Sequence, residues 1–343
     1  MNWLWCFSRQ PRDVGSSGRA RVFVYLALTV VFLLFSYQLV LNHDSLGSIS
    51  RWTGGQRIVI GDSSNDQSAD PSSQQPPPPN HSQSPSRELV IAAMRSSDLS
   101  WLEETLPDWH ANIYRADVPP GEANLTVPVN RGNEAMVYLT YLIDRYSTLP
   151  DVSVFMHHGR YQWHNDNPLY DSVISIKDLQ LPYVQKNGYV NLRCAWAIGC
   201  PSELEPARYL RERPDDHDHP TAMLYPDSFK ELFPGMKVPE VVGTPCCSQF
   251  AVSRKQAQKH KREEYIRLRQ WLIDSKLDAG ISGRIFEYSW HILFGQESQF
   301  CPEITECYCN TYGYCNMSDE DLMNQWVWRG LILPPGWPES KGN

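Results

Sequence analysis

Apolar positions along this chain follow three patterns in turn. From Val22 to Leu41, 20 residues run without a charge. As a helix this run is long enough to cross a hydrocarbon layer of about 30 Å. Next, residues 61–86 hold eight Ser, six Pro and four Gln but a single aliphatic side chain, Ala69. Such a stretch buries no core and reads as an extended spacer. From residue 88 onward, short apolar runs alternate with helical periodicity. Leu89–Met94 predicts a buried strand, Asn112–Ala116 a weaker one, and Val152–Met156 a third. Between them, Leu99, Leu102 and Leu106 mark one helix. Ala135, Tyr138, Leu139, Leu142 and Tyr146 mark a second, from Glu134 to Tyr146. Further strands are expected at Gly188–Arg193 and Gln249–Val252, with helices at about 254–275 and 283–294. Alternation of this kind predicts an α/β domain with a mostly parallel, mixed sheet. The Cys-, Pro- and Trp-rich stretch from about 296 to 343 reads as an irregular, disulfide-tied flap.

Charge divides at Val22. The formal net charge is −8, yet Arg9, Arg12, Arg19 and Arg21 face only Asp13 before the apolar run, a tail of +3 that leaves −11 beyond it. The positive-inside rule then predicts a cytosolic tail (1–21), a transmembrane helix (22–41), a stem (42–87) and a lumenal domain (88–343) in a single-pass type II arrangement, in the Golgi or endoplasmic reticulum membrane. A cleaved signal peptide is the competing reading, but the apolar run exceeds a typical h-region and no small-residue cleavage site closes it. The acidic remainder excludes a general nucleic-acid binder.

Cysteine usage fits a lumenal domain. Eight of the nine cysteines follow the apolar run, enough for up to four disulfides whose pairing the spacing leaves open. A zinc site at Cys301, Cys307, Cys309 and Cys315 is the alternative. N-glycosylation sequons stand at Asn80, Asn124 and Asn316.

Three segments offer chemistry. The loop His157–Asp171 follows a strand, the usual place for ligands in such sheets. In it, Arg160 offers a cation, Tyr161 and Trp163 offer faces for a sugar or base, and His164 and Asp166 offer metal ligands. Packing of a pinned loop explains the same composition. In Ser282–His291, Glu287 and His291 lie four apart, on one face if the segment is a continuous helix. They read as a base and a metal ligand, or as a hydrogen-bonded structural pair. Asn133, beside Gly132 and Glu134, stands where a helix start could hold a phosphate or simply cap itself. No G-x-S-x-G elbow, P-loop or G-x-G-x-x-G occurs.

Several stretches carry a family resemblance: Arg160–Asp166, Leu181–Gln185, Gly188–Cys194, Cys246–Arg254 and Ser282–His291. Through them, residues from about 88 to 316 resemble the fungal family known as domain of unknown function 3431. That family is remotely similar to GT-A-fold nucleotide-sugar glycosyltransferases. The resemblance implies a GT-A-like lumenal domain that transfers a sugar from a nucleotide sugar to a glycan or glycoprotein acceptor. It implies Glu287 as acceptor-side base, with Asp166 and His291 holding Mn²⁺ or Mg²⁺. From the residues themselves, His164 is expected to join the metal ligands, and Asn133, Arg160, Tyr161 and Trp163 are expected to bind substrate. The rival expectations are a non-catalytic carbohydrate-binding membrane protein and a metal-dependent hydrolase using His157, His158, His164 and Asp166.

Overall fold

The computed structural model describes residues 85–317, apart from Pro168 and 213–219. The tail, the apolar run 22–41, most of the stem and the Asn80 sequon lie outside the described residues. Among the described residues no helix is long and apolar enough to cross a membrane.

Five strands form one sheet in the order β2-β1-β3-β5-β4: β1 (Arg87–Ala93), β2 (His110–Arg115), β3 (Val152–His157), β4 (Tyr189–Asn191) and β5 (Phe250–Ser253). β1 pairs in parallel with β2 and β3, while β5 runs antiparallel to both β3 and β4. The sheet is therefore mixed, with β5 alone reversed. Alternate side chains feed two cores, as the two-residue strand period requires. Leu89, Ile91, Val152, Val154 and Ala251 point to one face, against α1 (Ser100–Thr105), α3 (Ser172–Asp178) and α4 (Leu181–Asn187). Val90, Phe155, Phe250 and Val252 point to the other, against α2 (Ala135–Asp144), α6 (Pro220–Leu232), α8 (Arg262–Asp274) and α9 (Ala279–Glu287). The α5 helix (Pro206–Glu212) leads into the 213–219 segment. The second core is largely aromatic: Phe155 stacks on Phe250 at 4.8 Å, with the Tyr138 ring edge-on to Phe155 at 4.9 Å.

Two expected helices are each broken, and a side chain is fastened at each break. The 254–275 segment divides into α7 (Arg254–Ala257) and α8. Between them His260 bonds to the Leu293 carbonyl (2.6 Å) and to Glu264 (2.8 Å). The 283–294 segment divides into α9 and α10 (Trp290–Leu293). Here the Ser289 hydroxyl donates to the Ile285 carbonyl at 2.6 Å, and the Ser289 N–H turns to Phe286 instead. Such back-bonding competes with the helical bond and ends the helix.

All eight cysteines beyond the apolar run form disulfides: Cys194–Cys307, Cys200–Cys301, Cys246–Cys247 and Cys309–Cys315. The zinc alternative is thereby removed. The supposed irregular flap includes a regular helix, α11 (Ile304–Tyr312), which Cys194–Cys307 ties across 113 residues to the segment after β4. A loop of that length makes the bond worth about 4–5 kcal/mol in the chain-entropy treatment.

An irregular strap from 243 to 248 leads into β5 and packs on Ile198–Pro201 with almost no space between the backbones. A Cβ on Gly199 would stand 1.9 Å from the Thr244 carbonyl oxygen, at a φ of +99° that side chains resist. Gly199→Ala is expected to lower the unfolding free energy by about 2–4 kcal/mol, measurable as a reduced denaturation midpoint.

Candidate active site

Parallel strands β1, β2 and β3 end at the edge where the reversed β5 begins. Pairing of β3 with β5 stops at Phe155 and Phe250, and just beyond it His157 bonds through its N–H to the Gln249 side chain and through its ring to the Cys247 carbonyl. The strap is thereby laid beside the loop that follows β3. The end of α9 and the Asn130–Glu134 turn close over the same place.

Glu287, the last residue of α9, is half-buried, and its Oε1 accepts a hydrogen bond from the Cys247 N–H at 2.7 Å. Burial, with the nearby negative charge of Glu134, raises its pKa to about 7. The Cys247 N–H, His157 and Arg284 pull the other way. Glu134 is also lifted above the ordinary carboxyl range by burial, which the Ser248 hydroxyl beside it partly offsets. A carboxyl near neutrality that still meets solvent is suited to giving and taking protons.

His157 is half-buried, and its Nε2 lies 2.8 Å from the Cys247 carbonyl oxygen. A carbonyl only accepts, so Nε2 carries the proton, and Nδ1 presents a lone pair while the ring is neutral. Burial holds its pKa below the usual imidazole value. Its ring stacks on His164 at 4.6 Å, which in turn lies 4.0 Å from the Trp163 ring. Trp163 is 40% exposed and reaches the His157 ring through His164, while Tyr161, 36% exposed, lies on the same loop. Exposed Asn133 takes a left-handed φ of +50°. Its side-chain nitrogen lies 2.6 Å from where a Cβ on Gly283 would stand, so glycine in α9 admits the turn. The structure thus brings Asn133 and Glu287, chosen from separate segments, to one place.

Other expected site residues have different work. Both Asp166 oxygens are occupied: Cys194 and Ala195 N–H groups donate to one at 2.6 and 3.1 Å, and the Tyr308 hydroxyl donates to the other at 3.0 Å. The carboxylate is buried and joins the loop to β4's exit and to α11. Arg160 forms a bidentate pair with Asp171 (3.1 and 2.9 Å), which also caps α3 through the Val173 N–H. Its guanidinium lies over the Tyr161 ring at 4.8 Å. His291 is fully buried, its Nε2 donating to the Ser298 carbonyl at 3.0 Å, and burial drives its pKa down to about 4. Because the helix breaks after Glu287, His291 enters the core instead of sharing Glu287's face. His164 is driven down to about 3, first by burial and then by His157 and Arg193.

His164, Asp166 and His291 do not gather as a metal triad. No group of three His, Cys, Asp or Glu side chains among the described residues is arranged to hold a metal ion. The donor set expected for Mn²⁺ or Mg²⁺ does not fit, since Asp166 already serves three protein donors. Sequon residues Asn124 and Asn316 are exposed.

Sequence reasoning passed over two contributors. In the sequence Glu134 marks only a helix start, and its influence on Glu287 depends on proximity across the fold. The adjacent pair Cys246–Cys247 was visible as an unusual doublet, but nothing local tells that it sits under Glu287.

Fold and site together define a mixed α/β domain with a carboxyl–imidazole centre at the carboxyl edge of its sheet. The chain belongs to the family described as Protein of unknown function (DUF3431), which it matches over residues 89–310. No curated protein and no solved structure matches it.

Proposed function

We propose that this domain is a glycosyltransferase-like enzyme that moves a sugar from a nucleotide-sugar donor to a glycan or glycoprotein acceptor, with Glu287 as the acceptor-side base. The observation that carries this reading is the half-buried Glu287 carboxyl at the end of α9, held by the Cys247 N–H beside His157; its raised pKa, about 7, suits a base working at neutral pH. The acceptor hydroxyl gives its proton to Glu287 as its oxygen bonds to the anomeric carbon. The bond from that carbon to the donor diphosphate breaks, and the electron pair leaves with the diphosphate. Exposed Arg284, one turn earlier on α9, places a positive charge on this side of the site. Trp163 and Tyr161 supply stacking faces for the sugar or base. No step is assigned to a metal, because the expected ligands are not arranged for one. In this reading residues 22–41 anchor the domain in the Golgi or endoplasmic reticulum membrane, facing the lumen.

The exposed Trp163 and Tyr161 favour a second reading, a carbohydrate-binding protein without catalysis. A thermal-shift screen of the full chain against nucleotide sugars and free glycans separates the two. The transferase reading expects one nucleotide sugar to raise the unfolding temperature, as a ligand of the native state must. Stabilisation by glycan alone would support the binding protein instead.

A further inference from the structure

We propose that the Cys246–Cys247 disulfide is a positioning element of the Glu287 site, holding Cys247 in the backbone shape that aims its N–H at Glu287 and its carbonyl at His157. This rests on reading Glu287 as the acid–base group.

The other three disulfides join residues 113, 101 and 6 positions apart, and so restrain the unfolded chain. A bond between sequence neighbours closes no loop of chain, so its effect is local. The local need is evident in the backbone. Cys247 and Ser248 are consecutive non-glycine residues at φ of +91° and +51°, on the left-handed side where L side chains crowd the chain. The disulfide closes a small ring through the peptide bond between its cysteines, which limits the conformations open to Cys247.

The strap around the ring is fastened elsewhere. Thr244 N–H donates to Gly199 at 3.0 Å, Cys246 N–H to Ile198 at 3.2 Å, and the Asn191 side chain to the Pro245 carbonyl at 2.6 Å. None of these bonds uses the polar groups of Cys247 itself. Its N–H goes to Glu287 and its carbonyl to His157. One covalently restrained residue therefore serves two titratable side chains at once, from a buried position (2% and 5% exposure for the two cysteines). Glu287 is faced by Glu134 from the turn before α2, His157 from β3, Arg284 from its own helix and the Cys247 N–H from the strap. Opening the ring loosens the N–H that donates to Glu287, and the carboxyl then holds its proton more tightly.

The test is a ¹³C-carboxyl NMR titration of Glu287 in the full chain, assigned by comparison with Glu287→Gln. The wild type is expected to titrate near pH 7. In Cys246→Ser/Cys247→Ser the midpoint rises by about one pH unit, whereas Cys309→Ser/Cys315→Ser leaves it in place. If the serine pair does not fold, Cys246→Ala/Cys247→Gly replaces it, because glycine accepts the φ of Cys247 without a ring to impose it. The same rise is expected there. A midpoint still near 7 in a folded ring-opened variant would overturn the positioning role and leave the acid–base reading intact. A wild-type midpoint near 4.5 would overturn both.

Discussion

Replacing Asp166 by alanine is expected to lower the unfolding temperature of the domain by about 10–20 °C, equally in EDTA and in Mn²⁺. The side chain accepts from two consecutive backbone N–H groups and from the Tyr308 hydroxyl in a buried setting. Removing it leaves three donors without partners, each at about 1–3 kcal/mol. The sum is roughly 3–9 kcal/mol before any water enters the opened site, and its lower to middle part corresponds to such a drop for a domain of this size. Asp166→Asn keeps the shape and one good acceptor, so it should retain part of the loss. Thermal melts of the three proteins in both buffers decide the matter. An alanine variant that melts like the wild type in EDTA, but fails to gain a Mn²⁺ stabilisation that the wild type shows, would return Asp166 to the role of metal ligand.

Glu287→Gln has the opposite signature. It is expected to cut the transfer rate by about 10²–10⁴, the span typical of a positioned acid or base, while leaving the fold at least as stable. Glutamine keeps an oxygen for the Cys247 N–H and cannot take a proton from the acceptor. The pH dependence follows from the raised pKa. The folded protein binds a proton at Glu287 up to about pH 7, and the free side chain only up to about 4.5. The wild type therefore loses stability as pH rises across that window. Glutamine has no charge to bury and escapes the loss. Relative to wild type, the variant should melt a few degrees higher at pH 8 and show a smaller advantage at pH 5. Higher stability with lower activity marks a residue kept for function at the expense of the fold. Equal melting curves at both pH values would refute the buried, proton-binding state of Glu287.

Much of the scaffold was legible because burial leaves a period in the sequence. The runs at Leu89–Met94 and Val152–Met156 are strands because their alternate residues serve opposite cores. The 134–146 pattern does hold a helix, but it ends at Asp144, leaves Tyr146 in a separate 3-10 turn, and is buried on all sides, with only Asp144 of its ten residues outside the core. Direction is a different matter. Phe250–Ser253 looks the same whichever way it runs, so the reversal of β5 was not readable, although that reversal places the strap beside His157. The break after Glu287 was equally hidden. It depends on a serine hydroxyl competing with a backbone N–H, and a four-residue spacing cannot report it. The spacing of Glu287 and His291 therefore suggested a shared role, whereas His291 supports the core and Glu287 faces the site. The loop after β3 shows the same limit. Its composition suited either a metal site or a pinned turn, and the bonds of Asp166, Arg160 and Asn165 show a pinned turn that carries His157, Tyr161 and Trp163 at its edge. Which carboxyl is tied up and which remains available follows from long-range contacts alone.

The central claim is that Glu287 serves as the base in transfer from a nucleotide sugar. It is tested most directly by following nucleoside diphosphate release against pH, with the full chain, the donor found in the thermal-shift screen and a glycan acceptor. The account predicts a rate that climbs through a midpoint near pH 7 in the wild type and is lower by about 10²–10⁴ in Glu287→Gln, with that climb abolished. Release by Glu287→Gln at the wild-type rate and with the wild-type pH profile would contradict it.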